Sequence, residues 1–239
     1  MITLVFIVVI AVGATLLFMQ QSVFGSDPSA VRLDLILKSP HYHNGAFENP
    51  EPTAVMREGA SYWKLTTDYF NKDINNIPPA PIPTVKTDLK ALPDTKPTIV
   101  WFGHSSYLIK SEGTTVLVDP VFSGNAGPVT FFGKSFAGSD AYTADDMPNI
   151  DLLVISHDHF DHLDYKTVTQ LIPKVKKFYT GLGVGAHLER WGVPADKIVE
   201  FDWWEKQDVS SNITLTAVPA RHFSGRRLTR GKTLWTAFA

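Results

Sequence analysis

Three observations predict an α/β fold for this chain. From about residue 97 onward, short runs that read as strands alternate with stretches that read as helices. The run at 152–155, Leu-Leu-Val-Ile, is apolar at every position and has the length of a buried strand. It breaks at once into a cluster of His and Asp between His157 and Asp164, so ligand-type side chains are concentrated at a strand end.

The elements follow in order. Residues 2–19 carry no charged side chain, and only Thr3, Gly13 and Thr15 interrupt their apolarity. That length approaches the roughly 20 residues needed to cross a bilayer as a helix. A single transmembrane anchor over residues 1–22 is therefore expected, with a cleaved signal segment ending near Val23-Phe-Gly25 and a buried core helix as competing readings. Residues 23–95 form a polar, Pro-rich arm. Within it His41 and His43 have the spacing of a ligand pair but no following Asp-His, so an ordering or packing role is expected of them. Residues 62–77 offer an irregular apolar face (Trp63, Leu65, Tyr69, Phe70) for a helix. The Pro run at 77–83 reads as an extended linker.

A domain is expected over residues 96–239. It opens with strands at 98–102, 106–109 and 115–118, the last two joined by the turn Ser111-Glu-Gly-Thr114. His104 and Asp119 stand at strand ends, where each reads either as support for metal ligands or as a turn residue. Residues 124–148 read as a loop over the site or an irregular connection. Beyond the His/Asp cluster come a helix at 165–172 capped by Asp164, and strands at 177–180, 199–203 and 213–218. The run Gly181-Leu-Gly-Val-Gly185 reads as a tight turn rather than a phosphate cradle, and Trp203-Trp204 as core aromatics.

Composition narrows the function classes. A hydrophobic content of 44% and a charged content of 19% are those of a globular protein. A net charge of −2 gives no basic field, so nucleic acid is not an expected partner. With no Cys, disulfides and thiolate ligands are excluded, and any metal must be held by His and carboxylates, a donor set that suits zinc, manganese or iron. His157 and His159, two apart on an extended backbone, point the same way and can hold one ion. Asp161 and His162 lie where the chain must turn and suit a second ion beside the first.

The arrangement His157-x-His159-x-Asp161-His162 resembles the signature of the metallo-β-lactamase fold. The stretches Thr98-Ile-Val-Trp-Phe-Gly-His104, Leu117-Val-Asp-Pro-Val-Phe122, His162-Leu-Asp-Tyr165, Phe201-Asp-Trp-Trp-Glu205 and Val218-Pro-Ala-Arg-His222 extend the match. Together they resemble the branch that holds the N-acylphosphatidylethanolamine-hydrolysing phospholipase D and its bacterial relatives, from about Ser39 onward. The resemblance implies an αββα sandwich preceded by the apolar helix and the Pro-rich arm. It also implies that His222 is the third imidazole of the first ion, giving His157, His159, Asp161, His162 and His222 as ligands of one or two Zn2+ ions. The implied substrate is a lipid or small-molecule phosphodiester, attacked at phosphorus by a metal-bound hydroxide that Asp161 orients as the catalytic residue. Arg226, Arg227, Arg230 and Lys232 read either as a solvated loop or as a grip on a phosphate or headgroup.

The family completes its site with a bridging Asp and a final His beyond the position of His222, and no Asp, Glu or His follows His222 here. The resemblance therefore implies a sandwich incomplete at the C-terminus. On that reading the second ion has only Asp161 and His162, so at most one tightly held zinc and little turnover are expected. Two other readings stay open: a lactonase or other ester hydrolase of the same superfamily, and an inactive membrane-tethered binding protein.

Overall fold

A computed structural model describes every residue except Met1, Val55, Lys72, Asp73, Phe132, Ser211 and Asn212. Helix α1 (Ile2–Phe18) is followed by a 3-10 turn at Ser22–Phe24, helix α2 (Ala30–Lys38), and a small hairpin of β1 (Tyr42–His43) and β2 (Ala46–Phe47). Helix α3 (Tyr62–Phe70) is N-capped by the Ser61 side chain. Of the helix expected over 62–77 it covers Tyr62–Phe70, and Ile74–Asn76 form a separate 3-10 turn; Lys72 and Asp73 lie outside the described residues.

The centre is a six-stranded sheet of β3 (Thr98–Gly103), β4 (Ser106–Ser111), β5 (Thr114–Val118), β6 (Ile150–Ile155), β7 (Val175–Gly181) and β8 (Ile198–Phe201), in that spatial order. The β3–β4–β5 part is antiparallel and the β5–β6–β7–β8 part parallel. The Glu112–Gly113 turn between β4 and β5 has positive φ at both residues (51° and 75°), which matches the right-handed twist of the paired strands. A smaller antiparallel sheet holds β9 (Lys206–Asp208), β10 (Thr214–Val218) and β11 (Ala237–Phe238) in the order β11-β10-β9.

Strand β6 explains the layering. Its side chains alternate: Leu153 and Ile155 pack with Val168 and Leu171 of helix α4 (Tyr165–Leu171) and Leu188 of helix α5 (Gly185–Arg190). Leu152 and Val154 pack with Leu215 and Ala217 of β10. With both faces buried, the strand reads as a continuous apolar run rather than an alternating one. The result is a mixed α/β fold in which helices cover one face of the central sheet and the second sheet covers the other.

Several expectations are corrected. Helix α1 is 17 residues, roughly 25 Å at about 1.5 Å per residue, against a hydrocarbon core of roughly 30 Å. Among the described residues no helix is long and apolar enough to cross a membrane, so the expected transmembrane span is not found. Nor is α1 a core helix, because Leu4, Phe6, Ile10 and Leu17 are all exposed. Trp203 is core, but Trp204 is exposed at φ 72°.

Within the cationic run Arg230 is exposed, as a solvated loop would have it, whereas Arg226 is not. Arg226 is buried and donates to the carbonyls of Val23, Asp158 and Leu163, with its guanidinium over the rings of Phe160 and Trp191. Burial lowers its pKa to about 10, partly offset by Asp158 and Asp164. Arg230 lies over the Phe223 ring and Lys232 donates to the Gly45 carbonyl. The Gly run is a turn, as expected, and the amides of Gly183 and Gly185 are occupied by Glu200 Oε1, while Glu200 Oε2 pairs with Arg32 Nε of α2 at 2.5 Å.

Candidate metal centre

The site lies at the C-terminal end of β6, where the chain leaves the sheet at Ser156. His157 and His159 extend from this end, and the following turn returns through amide bonds from His162 and Leu163 to the His159 carbonyl, before Asp164 caps α4. His222 arrives from the loop after β10, its backbone held in both directions by the Asn49 side chain. The three rings converge: His222 Nε2 is 3.0 Å from His157 Nε2 and 3.2 Å from His159 Nδ1, and His157 Nε2 is 3.0 Å from His159 Nδ1. Ligands at about 2.0–2.1 Å around a tetrahedral ion stand about 3.3 Å from one another, so this triangle fits such an ion.

A second cluster adjoins the first, with the rings of His157 and His162 only 4.0 Å apart between centroids. Here Asp161 and His162 are joined by His104. His104 Nε2 is 3.2 Å from both His162 Nε2 and Asp161 Oδ2, and His162 Nε2 is 3.9 Å from Asp161 Oδ2. The sequence reading gave this side only Asp161 and His162; the structure brings a third donor, from the β3–β4 hairpin 58 residues earlier. Each cluster therefore offers three convergent nitrogen or oxygen donors, which suits zinc, manganese or iron.

Asp119 links the two clusters from beneath. This buried carboxylate accepts from the Ser156 amide (2.7 Å) and hydroxyl (2.6 Å) and lies 2.8 Å from His162 Nδ1. The Ser156 hydroxyl proton is thus engaged, so His157 Nδ1, 2.9 Å from Ser156 Oγ, is the donor of that pair. His162 Nδ1 likewise donates to Asp119. Both rings then present an unprotonated Nε2 to their cluster, as ligating imidazoles require. Of the two readings left open for Asp119, the structure supports the orienting one.

Burial favours the same protonation state. It pushes the His157 pKa down to about 2, with the neighbouring rings of His162, His159 and His222 adding to the effect. Burial also lowers His159 and His222. Asp158, between the two ligand histidines, faces away from them. Burial alone would raise its carboxyl, but His187 and the Gly225 amide outweigh this and hold it well below the usual range. His187, which the sequence reading passed over, is buried with Nε2 3.4 Å from Asp158 Oδ2 and Nδ1 accepting from the Ser26 amide. His41 packs on Trp203, ring centroids 4.7 Å apart, in keeping with a packing role.

A cavity of about 610 Å³ opens beside the second cluster, with His104 and Asp161 in its wall. Trp101, Phe102, Val121, Phe136 and Tyr142 give it a mainly apolar lining, and Lys134 contributes a cation. The 124–148 segment supplies much of the wall as a loop pinned by the bridge between Asn125 and Lys134.

Residues 114–239, from β5 to the end of the chain, match the family model described as "Beta-lactamase superfamily domain". The chain belongs to the beta-lactamase superfamily. It is 38% identical over 217 residues to an uncharacterized protein of Mycobacterium tuberculosis, covering 90% of this chain and 58% of that protein. It is 32% identical to the N-acyl-phosphatidylethanolamine-hydrolyzing phospholipase D 1 of Caenorhabditis elegans, covering 58% of this chain and 42% of that protein. A metal-dependent hydrolase of Nitratidesulfovibrio vulgaris is 34% identical over 42% of this chain and 37% of its own. The chain thus spans between about a third and three-fifths of the relatives it matches. The metallo-β-lactamase resemblance carried by the motif is met by the family to which the chain belongs.

Proposed function

We propose that the protein is a metal-dependent hydrolase that cleaves the phosphodiester of N-acyl phosphatidylethanolamine-like lipids, with zinc as its metal. The observation that carries this reading is the pair of adjacent three-donor clusters, the second of which places His104 and Asp161 in the wall of a mainly apolar cavity. The likeness to a phospholipase D of this class supports the substrate. His157, His159 and His222 would hold one ion; Asp161 and His162 would contribute to the other. Such ions supply Lewis-acid chemistry, making water nucleophilic near neutral pH and stabilising charge that develops on a phosphoryl oxygen.

The protein's own residues do the rest. Asp119 and Ser156 fix the tautomers of His157 and His162. Asp161, half-exposed at the cavity wall, is placed to accept a proton from water approaching the reacting phosphorus. The apolar lining receives acyl chain and excludes water, and Lys134 offers its charge to a phosphate oxygen. Helix α1, apolar and exposed around its circumference, would embed in lipid and keep the cavity near a membrane surface.

The test is a hydrolysis panel on the zinc-loaded chain, offering vesicles of N-acyl phosphatidylethanolamine, a simple aryl phosphodiester, a lactone and a carboxylic ester. Phosphatidate and N-acylethanolamine are expected from the first, with loss on chelation and recovery on adding zinc. Turnover of the lactone or ester alone would overturn the substrate assignment, and turnover of none would overturn the enzymatic reading.

A further inference from the structure

We propose that a single buried water binds in a small polar cavity behind the metal motif, accepting hydrogen bonds from His187 and Arg226 and donating one to Asp158. None of these side chains belongs to either donor cluster, and this cavity shares no lining residue with the one beside His104 and Asp161.

The first donor is a ring whose proton has one place to go. His187, on α5, accepts from the Ser26 amide at Nδ1 (3.0 Å), which leaves the ring proton on Nε2. The opposite tautomer is closed off by the backbone. Gly25, at φ 63°, lies so near that a β-carbon there would run into His187 Nδ1, so the chain is seated directly on that edge of the ring. Nε2 then stands 3.4 Å from Asp158 Oδ2, longer than the roughly 2.9–3.0 Å of a well-formed N–H···O bond. Among the described residues no acceptor meets it in hydrogen-bond geometry.

The second donor is Arg226. Its Nε and Nη1 are taken by the carbonyls of Val23, Asp158 and Leu163. Its Nη2 meets no acceptor among the described residues, although the side chain is only 3% exposed. Buried donors are rarely left unmet in a folded protein, and bound water is the usual remedy where there is room for it.

The room is there. His187, Arg226, Asp158 and Thr233 line one cavity of about 10 Å³, on the order of what a single water needs. Its chemistry narrows the occupant further. Two N–H donors in the wall are the wrong partners for a metal cation. The Asp158 carboxylate, which already accepts from the Gly225 amide (2.7 Å) and the Thr233 hydroxyl (3.0 Å), repels an anion. What fits is a small molecule that accepts from two donors and donates to a carboxylate.

So placed, the water joins three segments of the chain. It meets the turn at 22–26 through His187, the loop after β10 through Arg226, and the end of β6 through Asp158. Asp158 stands between His157 and His159, and its partner Gly225 follows shortly after His222. The water therefore braces the back of the first cluster without touching a metal donor.

The test is a high-resolution crystal structure of the full 239-residue chain, with a second crystal soaked in sodium bromide. One ordered peak is expected within about 3.2 Å of His187 Nε2, Arg226 Nη2 and Asp158 Oδ2, with no anomalous signal there after the soak. No peak, or both donors turned onto protein acceptors, would overturn the proposal. Bromide at that position would also overturn it, in favour of an anion site. His187→Phe keeps the ring that stacks on Trp191 but has no donor, and should lose the peak while Asp158 keeps its bonds to Gly225 and Thr233. A peak of undiminished height in that variant would remove His187 from the site and overturn the assignment. If the variant does not fold, the native crystal alone decides.

Discussion

Asp119 is the residue on which the two clusters converge. Its carboxylate takes the Ser156 hydroxyl and the His162 ring, and through Ser156 it reaches His157, so one side chain sets the tautomer of a histidine in each cluster. Asp119→Asn keeps the tolerated positive φ of 41° but replaces one acceptor oxygen with a donor. Zinc affinity should fall roughly 10–100-fold, the usual cost of losing an outer partner of a ligand. A change of less than about threefold in a competition titration would mean that the ring orientations are fixed by packing alone.

The histidines also make a pH prediction for the metal-free protein. The folded-state pKa of His157 is about 2, against an ordinary 6.5, so between those values the unfolded chain binds the extra proton and the folded one does not. Stability should therefore be fully present above about pH 6.5 and decline as pH falls, by about 1.4 kcal/mol per pH unit from His157 alone, with His159 and His222 adding in the same direction. Denaturant midpoints at pH 7.5, 6 and 5 measure this, and His157→Gln should flatten the slope. A stability that rises on acidification would contradict the assigned burial.

At this scale the motif was legible because its ligands crowd one strand end; His222 was placed through the resemblance. The placement of His104 beside Asp161 and His162 was not legible, since a hairpin residue meets Asp161 only once the sheet is assembled. Arg226 was misread because four cations in seven residues look solvated, and nothing local shows that one of them is enclosed by Phe160 and Trp191.

Among the elements, the central strands were readable to within a few residues, because burial on one or both faces leaves apolar patterning that survives in sequence. Strand β9, Lys-Gln-Asp, is fully exposed and carries no such pattern, and β11 is only two residues long; both exist because β10 offers them hydrogen bonds. Residues 20–36, divided in the sequence between the expected anchor (1–22) and the arm (23–95), are bound into the domain. Gln20 and Ser22 carbonyls accept from Arg190 and Trp191 of the α5 end, Arg32 meets Glu189 and Glu200, and Ile36 packs with Leu182, Trp203 and Trp235. Arg226 joins this segment to the loop bearing the metal motif. Arg226→Met should strand the carbonyls of Val23, Asp158 and Leu163 and lower stability by about 3 kcal/mol or more, with Arg226→Lys recovering only part. Denaturant unfolding measures it, and a loss below about 0.5 kcal/mol would show that Arg226 does not bind these segments together.

For the molecule as a whole, the α/β class followed from strand–helix alternation, whereas the packing of the two sheets through Leu152, Val154, Leu215 and Ala217 depends on register that no local pattern records. Helix α1 stands apart from this core, touching it through the Phe18–Phe24 ring contact, with centroids 5.0 Å apart. Removing residues 1–18 should move the protein from the vesicle pellet to the supernatant in a co-sedimentation assay while leaving its melting midpoint within about 2 °C. A deletion that unfolds the remainder would make α1 part of the core after all.

The central claim is that two ions sit side by side in clusters supplied by this chain. Anomalous diffraction at the zinc edge from zinc-loaded crystals tests it most directly. The account predicts two peaks roughly 3.5–4 Å apart, one within about 2.1 Å of the ring nitrogens of His157, His159 and His222 and the other in contact with Asp161 and His162. A single peak, or peaks away from these side chains, would contradict it.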